Sequence, residues 1–535
     1  MILGYYILPG KVRNVWLLLG SLFFYAWGEP KYIFIMVASI VGNYLFGMLI
    51  HVFALREEHR FTNFDLKLYE PETSGENPSD NTADPKPGVT PGDNSSLNAA
   101  EGSASETTKR TVPIVGRFNW KRLTLTVTIL YNLGILFYFK YFNLFMETVN
   151  SVLHKQISWV EVALPIGISF YTFQGMSYVI DVYRGDCLPD RNGNRVELVQ
   201  KNPINLALYI SMFPQLIAGP IVRYTDIKDS LKERVTNANT FSRGAERFIV
   251  GLAKKAILAN SIGEAADKIF GSDYQYMGVS VAWLGAICYT LQIYYDFSGY
   301  SDMAIGLGKI FGFDFLENFN YPYISKSITE FWRRWHISLS SWFRDYLYIP
   351  LGGNRRGNVY VNLIIVFIAT GIWHGAAWSF LIWGLWHGLF MLIERYFRKS
   401  GRPDPFAKLP GVLKWAYTML VVGTGWILFK LENVPETLSY IGAMFRFAGH
   451  RYTEFSARYY LDNKMIVLLI VAVIACVPWG EVLPRRIGGH IVAFAEAESG
   501  KPACIVRRVL LILLLLISML FIVNSTYNPF IYFRF

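Results

Sequence analysis

VYVNLIIVFIATGIWHGAAWSFLIWGLWHGLFMLI (residues 359–393) contains no aspartate, glutamate, lysine or arginine. A bilayer is crossed by roughly 20 apolar residues in a helix, so this run is long enough to span one. The run is also punctuated. The triplet Trp-His-Gly occurs twice, around His374 and around His387. A histidine inside a membrane span is costly and marks a candidate functional site.

Similar runs lie at Val15–Gly28, Tyr32–Leu55, Gly278–Tyr295, Ala416–Phe429, Met465–Gly480 and Val509–Phe530. Those that fall short of a full span can be tilted, re-entrant or flanked by snorkelling charges. The composition agrees: 53% of residues are hydrophobic and 17% charged, against about 25% charged in an ordinary soluble domain. The expected fold is therefore an all-α polytopic membrane protein. Window hydropathy places about eleven transmembrane or re-entrant helices along the chain.

The net charge of +11 raises the question of nucleic acid. The basic pairs Lys254-Lys255, Arg485-Arg486 and Arg507-Arg508 instead flank apolar runs, as the positive-inside rule requires. The four cysteines, Cys187, Cys288, Cys476 and Cys504, are widely spaced and form no CxxC. They read as small apolar residues rather than a disulfide framework or a metal knuckle. No basic n-region or A-x-A site marks a cleavable signal peptide. The opening MILGYYILPG is too short to span and stops at Pro9-Gly10. Either it is a half-helix against the bundle, or the start lies upstream.

Three regions follow: N-terminal membrane helices over 1–55, a polar loop over 56–122, and a membrane core over 123–535. The loop is rich in Pro, Gly, Ser, Asn and acids, a composition that cannot bury enough apolar area to fold and predicts disorder. In the core, Lys140 interrupts Leu123–Met146 and is expected to snorkel to a membrane face. LPIGISFYTFQGMSYVIDVYRG (164–185) and MFPQLIAGPIVR (212–223) carry internal Gly and Pro. Such segments bend or re-enter, which is tolerated where protein shields them or where they line a cavity. No inverted repeat of the kind common in transporters is visible.

The densest chemistry lies between Tyr294 and His387. Asp296 and Asp302 are six apart, about 120° around a helix, and do not form a close pair there. Phe331–Asn358 combines His336, Arg344, Asp345 and Asn354 with other arginines, tryptophans and tyrosines. It reads as a headgroup-level segment near the cytoplasmic face, with its Trp and Tyr residues in the aromatic belt. On one helix, His374 and His387 would point about 140° apart. They would not converge on a metal, whose ligands typically sit at i, i+4, so no metal site is expected. A single buried histidine can take a proton from an attacking hydroxyl or give one to a leaving thiolate. That suits acyl transfer, and the chain has no G-x-S-x-G elbow to offer a serine instead. A proton-coupled transporter also accommodates intramembrane histidines and broken helices.

These stretches, with YYDFSGYSDMAIGLG, FWRRWHISLSSWFRDYLYIPLGGNR, WHGAAWSFLIWG and the final STYNPFIYFRF, resemble the membrane-bound O-acyltransferase family. The likeness extends over nearly the whole chain outside the polar loop. It implies a helical bundle around a central funnel. It places the family's hallmark histidine at His374 and a second important one at His336, with Arg344, Asp345 and Asn354 as possible cavity lining. His387 is then structural, its imidazole hydrogen-bonded inside the bundle. The resemblance implies a multi-pass protein of a bacterial inner membrane with no bound cofactor. It would pass an acyl group, most simply acetyl, from a cytoplasmic thioester such as acetyl-CoA to an exported polysaccharide such as alginate. The expected partner is an extracytoplasmic protein resembling an SGNH esterase. D-alanine or a fatty acyl remains an alternative cargo. The chain departs from the family in its short first segment and its long polar loop.

Overall fold

The computed structural model describes residues 1–68, 119–187, 197–217, 219–399, 408–447, 455–495 and 502–529. Most of the 56–122 loop lies outside them. Among the described residues every regular element is a helix. Ile33–Glu57, Trp120–Leu153, Gly411–Lys430 and Pro502–Asn524 are long and apolar enough to cross a bilayer, with shorter apolar helices at Val359–His374 and Asn463–Ala475. That is a coarser picture than eleven spans, because several apolar runs fold as short, broken or interior helices.

Pro502–Asn524 shows why the solvent must be lipid: only 6% of its most apolar window is buried inside the protein. Leu510, Ile512, Leu513 and Leu516 face outward together, a patch that water would not tolerate. The chain is a multi-pass membrane protein.

The centre is the long helix Val279–Ile310, buried over most of its length. It packs along Ala238–Ala253 through glycines. A Cβ on Gly251 would lie 2.5 Å from the Gly299 carbonyl oxygen, and one on Gly244 would lie 2.6 Å from that of Gly306. Two backbones can approach this closely only where side chains are missing, the device by which membrane helices associate without a hydrophobic drive. Asp296 and Asp302, on the buried helix, each take a separate cation. Lys255 pairs with Asp296, while Lys254 reaches Asp302 at 2.6 Å. Arg247 completes the second pair at 2.6 Å. Both acids act here as buried structural ion-pair partners.

The N-terminal stub is the half-helix Ile2–Ile7. Tyr5 is fully buried, and its hydroxyl donates to the Phe311 carbonyl at 2.8 Å. Tyr6 caps Ile310 in the same way at 2.7 Å.

Among the described residues three single π turns interrupt the helices, at Phe137–Tyr141, Lys254–Ala259 and Arg344–Tyr348. Each carries a charged residue of interest: Lys140, Lys255 and Asp345. Such turns hold one residue more than an α turn and are frequent at functional sites.

The Phe331–Asn358 segment corrects the aromatic-belt reading. Trp332, Trp335 and Trp342 are buried in the interior clusters. Arg333, Arg344, Arg355 and Arg356 point outward. The tryptophans supply core area, while these arginines are exposed.

Candidate functional site

The uncharged run 359–393 is not one helix. Val359–His374 ends at its histidine, and Trp378–Lys399 begins after three intervening residues. The two pack against each other as a hairpin, which glycines permit. A Cβ on Gly371 would lie 2.4 Å from the Phe380 carbonyl oxygen, and one on Gly384 2.3 Å from that of Phe367. At the bend, a Cβ on Gly375 would strike the Phe380 ring at 2.1 Å. The one-helix arithmetic for His374 and His387 therefore does not apply. Instead both imidazoles pack edge-on against the same indole, Trp383, with ring centroids at 4.9 and 5.2 Å.

His374 is the last residue of its helix and is almost wholly buried. Its ring also meets Trp373 and Phe429. Nδ1 is enclosed without a hydrogen-bond partner among the described residues. The residue lines a cavity of about 40 Å3 that also touches Lys140, the Leu164–Phe170 turn, Ile217 and Trp373. Gly167 lets that turn close: its φ is +76°, and a Cβ there would lie 2.5 Å from the Leu216 carbonyl oxygen.

Lys140 does not snorkel. It is buried, and its Nζ donates to the carbonyl oxygens of Trp373 and His374, the latter at 3.3 Å. A third contact goes to Ser169 Oγ at 3.2 Å. Helix C-termini leave carbonyls unpaired and attract cations. Lys140 therefore ties the end of the His374 helix to the cavity wall. The sequence signal was a lysine inside an apolar run; two of its three partners are more than two hundred residues away in the chain.

His336 is fully buried, in a left-handed backbone conformation with φ +43°. Its Nδ1 lies 3.0 Å from Asn318 Oδ1. The same oxygen accepts from the Ser338 backbone N–H at 3.2 Å and from the Ser338 hydroxyl at 2.8 Å. An amide placed to accept from a backbone N–H must present its oxygen there. Nδ1 is then the protonated nitrogen, and Nε2, buried and without a partner among the described residues, keeps its lone pair. Trp373 joins the two histidines: its indole is 6.2 Å from the His336 ring and 4.9 Å from that of His374. Asn318 and Ser338 were not singled out by sequence reasoning, because a lone Asn or Ser carries no pattern.

His387 is fully buried, but neither ring nitrogen has a hydrogen-bond partner among the described residues. It is held by the rings of Trp332, Trp383 and Trp426. A Cβ on Gly425 would sit 2.4 Å from its Nε2. The expected hydrogen bond inside the bundle is replaced by aromatic enclosure.

Arg344, Asp345 and Asn354 are not among the residues lining the His374 cavity. Asp345 accepts from Arg223 at 2.6 Å and from Arg344 at 2.7 Å. Asn354 accepts from Tyr348 at 2.8 Å and from Arg395 at 2.9 Å. Beside them Tyr346 donates to Asp181 at 2.7 Å, and the guanidinium of Arg184 lies 5.0 Å from its ring. These residues form two polar groups, one around Asp345 and one around Asn354, outside that cavity. No group of three or more His, Cys, Asp or Glu side chains among the described residues could hold a metal ion.

The model of the membrane-bound O-acyltransferase family matches residues 119–422, which include the cavity and all three histidines. The chain belongs to this family. Relatives along the chain agree. A probable alginate O-acetylase of Pseudomonas putida is 41% identical over 76% of this chain and 82% of its own length. One from Azotobacter vinelandii is 35% identical over 99% and 96%. A peptidoglycan O-acetyltransferase of Helicobacter pylori is 30% identical over 100% and 94%. As a membrane-bound O-acyltransferase, the protein joins an acyl group to a hydroxyl. Among the described residues the site offers two imidazoles with unpartnered nitrogens, a buried lysine and a small cavity.

Proposed function

We propose that this protein takes an acetyl group from a cytoplasmic thioester such as acetyl-CoA and passes it through the bilayer for O-acetylation of an exported polysaccharide such as alginate. The reading rests on the family, on the activities that name its relatives, and on one observation. His374 lines a small cavity inside a membrane-spanning bundle, and its Nδ1 has no hydrogen-bond partner among the described residues.

His374 is the general base. Its imidazole takes the proton as the acceptor oxygen attacks the thioester carbonyl carbon. The carbon–oxygen bond forms, the carbon–sulfur bond breaks, and the imidazolium returns its proton to the leaving thiolate. The buried setting excludes water, which would otherwise hydrolyse the thioester. His336, locked by Asn318 with its Nε2 lone pair free, orients the donor or accepts a hydrogen bond from it. Handing the acetyl group to a glycan outside the membrane calls for an extracytoplasmic partner of the SGNH-esterase kind, and a bacterial inner membrane is the fitting location.

His374→Ala should insert and accumulate like the unsubstituted protein, yet abolish O-acetylation of the cell's exported glycan. Normal acetylation in that strain removes His374 from the mechanism. Analysis of the acyl group on the glycan separates acetyl from D-alanyl or longer chains.

A further inference from the structure

The cavity beside His374 is small, charged on one side and walled off from a larger space. At about 40 Å3, it holds roughly two or three water-sized groups. An acetyl group, a carbonyl with one methyl, matches that size. A fatty acyl chain does not. Leu164, Ile166, Phe170 and Ile217 make the wall apolar, as a methyl requires.

The charged side is Lys140. Its three acceptors, two carbonyls and one hydroxyl oxygen, match the three donors of an ammonium. Among the described residues no carboxylate pairs with it. A buried cation without a counter-charge creates a local positive potential that a second cation would have to enter. An aminoacyl group such as D-alanyl carries its own ammonium next to the carbonyl. It would therefore be repelled where acetyl is not.

The wall also has a thin part. Ile166 and Ile217 line this cavity and also an apolar groove of about 810 Å3 on the protein's outer face, along Phe23, Tyr25 and Trp27 of the helix Gly10–Gly28. The two isoleucines are the partition between a space of acetyl size and one that could take a long chain.

We propose that the small cavity is the acyl subsite, and that Lys140 and Ile217 determine specificity there. Lys140 turns away aminoacyl groups, and Ile217 blocks long acyl chains. This rests on the assignment of His374 as the base.

The test uses the full-length protein in lipid vesicles with an alginate oligosaccharide present as the hydroxyl acceptor, and measures thiol release from four coenzyme A thioesters: acetyl, propionyl, glycyl and hexanoyl. Propionyl and glycyl are nearly equal in size and differ by one positive charge. The unsubstituted protein should prefer acetyl to propionyl by about tenfold or more, the range for one methylene. It should use glycyl about tenfold less well than propionyl, since like charges brought together are disfavoured. Lys140→Met should bring the glycyl-to-propionyl ratio close to one. Ile217→Ala should raise hexanoyl relative to acetyl by about tenfold. Should Lys140→Met fail to accumulate, the ratios of the unsubstituted protein and of Ile217→Ala still decide the matter. Equal use of glycyl and propionyl by the unsubstituted protein overturns the charge argument, and an unchanged hexanoyl ratio in folded Ile217→Ala overturns the partition. Absence of release from all four overturns both. The underlying assignment fails separately: His374→Ala would then release thiol at the ordinary rate, whatever the ratios.

Discussion

Asn318→Leu removes one oxygen that holds three donors. In the native site Oδ1 accepts from His336 Nδ1 at 3.0 Å, from the Ser338 hydroxyl at 2.8 Å and from the Ser338 N–H at 3.2 Å. Leucine has a similar volume and no acceptor. The Ser338 hydroxyl can turn toward His336 Nδ1, which is 3.5 Å away, so one donor is partly rescued. The imidazole N–H and the backbone N–H are not both rescued. Each buried donor left without a partner costs about 1–3 kcal/mol. Loss of the unpartnered Asn318 Nδ2 offsets some of this. The balance is a destabilisation of about 2–4 kcal/mol. Freed of Asn318, His336 can also exchange its proton between nitrogens. That costs catalysis in addition to stability, because the lone pair no longer faces one way. The assay is paired: thermal unfolding of the purified protein, and thioester turnover per folded molecule. A lower transition temperature with turnover reduced about tenfold per 1.4 kcal/mol of lost orientation is expected. Asn318→Asp, which retains the acceptor, should recover most of the turnover. Full stability and full turnover in Asn318→Leu would refute the tautomer assignment. Lost stability with unchanged turnover would make Asn318 a packing residue.

His387→Leu should fold at least as well as the native protein. It removes two buried ring nitrogens that have no partner, each worth about 1 kcal/mol or more, and fills the same aromatic cage; a large drop in melting temperature would show that the imidazole is bonded after all. Gly251→Leu should destabilise by about 1–3 kcal/mol through overpacking, since even its Cβ meets the Gly299 oxygen. Gly134→Ala, in a helix with no atom near the added methyl, should be neutral or more stable by up to about 1 kcal/mol. Equal effects of the two glycine changes in a thermal melt would argue against the close helix contact. Asp296→Asn leaves the ammonium of Lys255 without its buried carboxylate and should cost about 3 kcal/mol. It should appear as reduced abundance in membranes, and normal abundance would count against a buried pair.

Class and chemistry were legible because they are written in long stretches. Apolar runs of span length declare a helical membrane protein, and the motifs around His336 and His374 declare the family. The finer geometry was not legible, for reasons that differ by residue. Periodicity treats 359–393 as continuous, and only the tight approach of Gly371, Gly375 and Gly384 to the opposite strand of the hairpin breaks it. A lysine in an apolar run looks the same whether it reaches the membrane face or a carbonyl across the bundle, so Lys140 was misplaced. Tryptophan is equally at home in a belt and in a core, and Trp332, Trp335 and Trp342 took the core because the arginines beside them took the surface. Arg344, Asp345 and Asn354 were grouped with the histidines by closeness along the chain. The structure assembles them around Arg223 and Arg395 instead.

The π turn at Phe137–Tyr141 sets the reading frame of its helix. An α-helix advances about 100° per residue, and this turn inserts one residue without breaking the chain. Deleting a single residue there would restore an unbroken α-helix and rotate every later side chain of that helix by about one position. Lys140 would then swing away from the end of the His374 helix, although the lysine itself was kept. The spacing of this segment is thus as much a part of the acyl site as its composition, and homologues that differ by one residue in it should differ in which acyl group they accept.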